Sequence, residues 1–149
     1  MIDLLIAAAL AQASVPMSDR GAPDPCNVAG QPETPRPGCP AWQFTDQDEK
    51  TRRFIDPASV RTEGNIIRID HRSVYAQARG VSRMRSIITT MRVDCVQQTL
   101  IAEYVRSFDA DGYLLASVST PDAELHPIEP SSSAATWAAE YCPHRTSAR

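Results

Sequence analysis

The stretch MRSIITTMRVDCV, residues Met84 to Val96, alternates with period two. Ile87, Thr89, Met91, Val93 and Cys95 fall on one side, and Ile88, Thr90, Arg92 and Asp94 on the other, which is the phase of a β-strand with one face turned to a core. That phase points Cys95 inward. On the N-terminal side, Gln77 to Ser82 contains Gly80 and reads as a turn, preceded by a strand over Ile66 to Ala76. Before it, Glu63-Gly64-Asn65 makes another turn. A strand over Thr51 to Asp56 is expected to stop at Pro57, and the acidic run Asp46 to Glu49 separates it from a first strand at Trp42 to Thr45. On the C-terminal side come Thr99 to Phe108, the turn Asp109-Ala110-Asp111-Gly112, and Tyr113 to Ser119. Short connections between successive strands imply a meander of about six antiparallel strands.

Past Pro121 the period changes. Pro127 and Pro130 keep the chain extended, Ser131 to Ser133 supply N-caps, and Ala134 to Cys142 is free of Gly and Pro until Pro143 ends it. Ala134, Trp137, Ala138 and Tyr141 share one stripe, with Cys142 at its margin. A helix this short does not persist in water without docking, so it is expected to pack on one face of the sheet, giving an α+β fold. Trp42 and Trp137 are read as core residues.

The termini have a different texture. Leu4 to Ala11, LLIAAALA, followed by Ala11-Gln12-Ala13, has the apolar block and small-x-small site of an export signal, although Met1-Ile2-Asp3 carries an acid where a base is usual. Cleavage after Ala13 is expected. Ser14 to Pro40 holds seven of the twelve prolines and reads as a Pro-rich linker. The organisation is thus a signal peptide (1–13), a linker (14–40), one folded domain (41–143) and a tail (144–149). No apolar run is long enough to span a membrane as a helix.

Four cysteines in a chain with an export signal favour disulfides. Of the three pairings, Cys26 with Cys39 and Cys95 with Cys142 is preferred: the first pair lies within one Pro-rich segment and the second within the folded part. The first is expected to close a loop with little structure to stabilise. No C-x-x-C occurs and only His71, His126 and His144 could join a metal site, so neither metal nor cofactor is expected.

Nucleophile, zinc-protease, phosphate-loop and dinucleotide motifs are missing from the sequence, so an enzyme is not expected. His71, among Arg68, Asp70 and Arg72, reads as a solvated residue, and Asp56 and Asp94 as scaffold carboxylates. With net charge −3 a nucleic-acid partner is not expected either. The charges are unevenly placed, however. Lys50 to Arg92 carries ten bases and three acids, whereas Val93 to Arg149 carries three bases and eight acids. Arg68, Arg72, Arg79, Arg83, Arg85 and Arg92 would form a patch suited to an acidic protein segment or glycan if they share a face. The alternative is neutralisation by Glu103, Asp109 and Asp111 on neighbouring strands.

Trp42, Phe54-Ile55-Asp56-Pro57, Ser59-Val60, Gly64-Asn65, Asp94-Cys95, Gly112, Pro130-Ser131-Ser132 and Cys142, in this order and spacing, resemble the bacterial surface-adhesin protein E family. The resemblance covers about Ala41 to Cys142. It implies a six-stranded antiparallel sheet with a C-terminal helix held on its concave face by a disulfide, and a function in binding extracellular-matrix proteins. Cys26 follows Asp24-Pro25 rather than a lipobox, so a periplasmic or secreted location is expected alongside the cell surface. The readings that follow are an exported interaction module with a partner in the envelope or outside the cell, a periplasmic accessory protein, and, more remotely, a small secreted enzyme.

Overall fold

The computed structural model describes residues 16, 19–30, 32, 34–120 and 124–143. The expected signal peptide and tail lie outside the described residues. The described part is one antiparallel sheet with a helix on one face. Its strands are β1 (Gln43–Gln47), β2 (Thr51–Glu63), β3 (Ile66–Arg79), β4 (Met84–Asp94), β5 (Thr99–Phe108) and β6 (Leu114–Ser119), in spatial order β1-β2-β3-β4-β5-β6. A short β7 (His126–Pro127), not anticipated from sequence, pairs with the start of β5 and carries the chain to α1 (Ser133–Tyr141). Ser132 caps α1, its Oγ accepting from the Ala135 amide at 3.2 Å.

One expected boundary is corrected. β2 does not stop at Pro57 but runs to Glu63, with its pairing to β3 interrupted between Asp56, opposite Asp70, and Arg61, opposite Arg68. Pro57 sits in that interruption, where its missing N–H removes no ladder bond. Side chains replace the ladder: Asp56 Oδ1 accepts from the Ala58 amide at 3.1 Å, and Ser59 Oγ accepts from the Asp70 amide at 2.8 Å while donating to the Asp56 carbonyl.

Strand alternation divides the core into two faces. On the first, Ile55, Ile67, Ile69, Met91, Val93 and Leu100 pack under Ala134, Trp137 and Ala138 of α1. A disulfide between Cys95 and Cys142, with Cα atoms 5.7 Å apart, ties the end of β4 to the end of the helix. On the second, Trp42, Phe54, Val74, Ile88 and Phe108 form an apolar floor.

That floor is covered by part of the segment read as a linker. Ala29 joins the second cluster. The Asp24 amide donates to the Gly112 carbonyl at 3.0 Å and the Ala29 amide to the Ala110 carbonyl at 3.2 Å. Between them, a 3-10 turn at Pro25–Asn27 is held by Asp24, whose carboxylate accepts from the Cys26 amide and from Asn27 Nδ2. Gly112 is dictated by this contact: φ is +90°, and a Cβ there would lie 2.3 Å from the Asp24 carbonyl oxygen. The Cys26–Cys39 disulfide closes the segment on itself. Residues 24–30 are therefore a strap across the sheet, because the apolar side chains of the second face need a cover that α1, packed on the first, cannot supply.

An arginine turn and a cleft under the helix

The six arginines do not form one patch. Arg72 is fully buried beneath the strap, its guanidinium donating to the Cys26 carbonyl at 3.2 Å and the Val28 carbonyl at 3.1 Å, with its Cζ 5.7 Å from the Trp42 ring. Desolvation pushes its pKa down to about 10. It holds the strap and offers nothing to a partner. Arg68 and Arg92 lie opposite each other in the β3–β4 register, on the second face. Arg68 is engaged by Glu103, at 2.8 Å, and by Glu63, at 3.0 Å, which is the neutralisation anticipated as the alternative.

Arg79, Arg83 and Arg85 gather at the β3–β4 connection. From Arg68 to Arg79, at ~3.3 Å per residue, is more than 30 Å along β3, so the two groups cannot meet one small partner together. Arg79 is exposed, and its Cζ lies 4.1 Å from the Tyr75 ring centroid, a cation–π contact that leaves the guanidinium edges open. Arg85 donates through Nε to the Tyr75 carbonyl at 3.0 Å. Arg83 is exposed with φ +56°, closing a turn in which its amide donates to the Gly80 carbonyl, and Val81 stands fully in solvent at the tip. Among the described residues no carboxylate pairs with Arg79, Arg83 or Arg85. A groove of about 390 Å³ runs beside the turn, with Arg20, Arg83 and Arg85 and also Asp109 and Asp111 in its lining. Asp109 is committed to its own turn, where its Oδ1 accepts from the amides of Asp111 and Tyr113.

A second feature lies under α1. A cleft of about 220 Å³ opens between the first face of the sheet and the start of the helix, with Ile87, Met91, Leu100 and Trp137 among its lining. His71 also lines it, its ring 5.2 Å from that of Trp137. Reading His71 as solvated was therefore incorrect: it follows the phase of Ile67 and Ile69, not of Arg68 and Arg72. That period-two phase was the signal that could have found it.

The cleft's rim is an ionic and hydrogen-bonded lock. Arg53 donates at 2.7 Å to both Asp46 and Asp48, and Ser133 Oγ donates at 2.7 Å to Asp46, tying β1 to the first turn of α1. Partial burial by itself would raise the Asp46 carboxyl, but the hydrogen bonds from Ser133 and Arg53 and the Arg53 charge outweigh it and hold its pKa below 3.8. A depressed carboxylate stabilises the fold above its unfolded pKa, and the gain disappears as pH falls through the lower folded value. Thermal melts are therefore expected to show a midpoint that drops as pH falls below about 4, the unfolded value. Asp46→Asn should start lower at pH 7 and show a weaker acid dependence. Identical acid limbs for both proteins would remove Asp46 from this account.

Among the described residues no group of three or more His, Cys, Asp and Glu side chains is placed to hold a metal ion, and no helix is long and apolar enough to cross a membrane. No curated protein and no solved structure matches the chain. Residues 42–143 match the family model described as Surface-adhesin protein E. The match runs from the tryptophan of the second face to the proline after the stapled helix, most of the chain, and the meander sheet with its C-terminal helix is the fold that the resemblance implied. The chain belongs to the surface-adhesin protein E family.

Proposed function

We propose that this chain is an exported interaction module that binds an acidic partner, a protein segment or a sulfated glycan, through Arg79, Arg83 and Arg85. Membership of an adhesin family supports a role in binding an external partner. The observation that carries the finer reading is the gathering of three guanidinium groups on one connection, beside the solvent-exposed Val81, with no carboxylate paired to them among the described residues. Arginine recognises carboxylate, sulfate and phosphate by paired, planar hydrogen bonds, and an exposed cluster of this kind attracts an anion in a salt-dependent way. Arg68 and Arg92, on the second face and far along β3, are left as a secondary contact at most, and Arg72 belongs to the interior. The Ala11-Gln12-Ala13 site and the two disulfides support a place outside the cytoplasm, in the periplasm, secreted, or at the cell surface.

The test uses immobilised heparin and a panel of extracellular-matrix proteins at low and physiological salt. Wild type is compared with a variant carrying Arg79→Ser, Arg83→Ser and Arg85→Ser. Wild type should be retained at low salt, and the variant should lose roughly tenfold or more in affinity with an unchanged melting temperature. Fractionation of tagged protein, with N-terminal sequencing, should find a chain starting at Ser14 outside the cytoplasm. Failure of wild type to bind at low salt, or equal retention of the variant, would overturn the arginine turn as the contact.

A further inference from the structure

We propose that the cleft between the sheet and α1 is a binding site for a small, uncharged, ring-sized amphipathic molecule, of the phenol or indole class. This site is separate from the arginine turn and does not depend on that reading.

Size sets the first limit. The cleft has a volume of about 220 Å³, somewhat more than the ~150 Å³ that encloses a benzene ring and less than the ~300 Å³ at which pockets for drug-sized ligands begin. Shape comes from secured elements: strands in the middle of the sheet form one wall, and the other is α1, held by the Cys95–Cys142 bond at one end and the Ser133–Asp46 hydrogen bond at the other. Such a wall does not need to be built by the ligand, so the ordering cost of binding is small.

Polarity sets the second limit. Ser73 and Thr89 line the cleft from adjacent strands, and they are 8% and 4% exposed. Thr89 faces His71 in the β3–β4 register and Ser73 faces Ile87. Neither hydroxyl has a hydrogen-bond partner among the described residues. With no protein partner, each hydroxyl is left to bond whatever fills the cleft, and an occupant that donates or accepts there replaces water without leaving a polar group unpaired. Ile87, Met91, Leu100 and Trp137 would take the apolar part of that occupant.

Charge sets the third. Among the described lining residues the arginine, Arg53, is already held by Asp46 and Asp48, and the exposed Glu129 at the mouth disfavours an anion. A neutral ring bearing one or two polar atoms satisfies all three limits.

The experiment is a titration of isotopically labelled, oxidised full chain with phenol and indole, with toluene as the apolar control and benzoate as the anionic one. Nuclear magnetic resonance follows the Trp137 Nε1–H and the amides of residues 71–75 and 87–91. Phenol and indole should shift these signals saturably, and toluene and benzoate should bind several-fold more weakly. The double variant Ser73→Ala with Thr89→Val removes both hydroxyls at nearly constant volume, and should weaken phenol binding about tenfold while leaving toluene unchanged. Absence of saturable shifts for every ring probe would overturn the proposal, leaving a cleft filled by water alone. Equal binding of phenol by wild type and double variant, or shifts confined to other parts of the sheet, would do the same. Should the double variant fail to fold, the single variants and the wild-type ratio of phenol to toluene affinity decide the question: a ratio near one refutes it.

Discussion

Replacing Cys142 with Ser is expected to lower stability by about 4 kcal/mol, the chain-entropy value for a loop of this size. The bond links residues 47 apart and fixes a helix of nine residues that has no stability of its own in water. Once released, α1 would uncover Ala134, Trp137 and Ala138 together with the side chains of β2 to β5 beneath them. For a domain near 100 residues this corresponds to a drop in melting temperature of roughly 20 °C. Cys26→Ser should cost less. Its bond spans 13 residues, about 3 kcal/mol on the same account, but the strap has further anchors in Arg72 and in the Asp24 and Ala29 amides that persist without it. The loss is nevertheless expected to be measurable, because residues 24–30 pack on the sheet. Urea titrations of the two variants provide the comparison. A loss below about 1 kcal/mol for Cys142→Ser would show that α1 stays docked by packing alone.

Phe54→Ala is expected to cost 3 to 5 kcal/mol, the range of a large aromatic removed from a closed core (about 3–5 kcal/mol). Phe54 is completely buried near the start of β2, and it packs with Trp42, Val74, Ile88 and Phe108 as well as the strap residue Ala29. Two further contacts would go with it: an edge-to-face pairing with Phe44 at 5.9 Å and the Arg52 guanidinium 5.2 Å from its ring. Because Ala29 packs in the same cluster, the strap should loosen before the sheet melts. Hydrogen exchange at the Asp24 and Ala29 amides, which donate to Gly112 and Ala110, would report this as protection lost ahead of the β3 and β4 amides. Phe44→Ala, at a residue 49% exposed, serves as the control and should cost about 1 kcal/mol or less. Similar losses for the two variants would mean that the second face is not a closed core.

Which of the candidate residues could be read from sequence follows from what periodicity reports. Arg79, Arg83 and Arg85 are neighbours in the chain around Gly80, so their gathering at one turn was legible from spacing. Glu103 was legible as a neutraliser of the arginines, but that it meets Arg68, across β4 from β5 to β3, follows from the register of three strands, which includes an irregularity between Thr90 and Met91. Nothing local announces that irregularity. Arg72 has the phase of an outward residue and does lie on the second face, but alternation says which face a side chain takes and not what covers that face. Thr89 was legible as an inward residue from the phase it shares with Ile87 and Met91, whereas the cleft between it and α1 arises from where the helix comes to rest.

By itself the sequence determined the antiparallel meander, the hairpin turns, the C-terminal helix and the inward cysteine at the end of β4, since each rests on a local period, cap or turn residue. Tertiary structure alone decided that β2 continues past Pro57, that residues 24–30 lie over the second face, that Arg72 is enclosed beneath them, and that His71 meets Trp137 across a cleft. The physical reason is common to all four. Three are set by contacts between segments distant in the chain and the fourth, the continuation of β2, by its hairpin pairing with β3 across Gly64-Asn65; in each the requirement to cover apolar area and to satisfy buried polar groups outweighs the local preference of Pro for ending a strand, of a Pro-rich segment for extension in water, and of Arg and His for solvent.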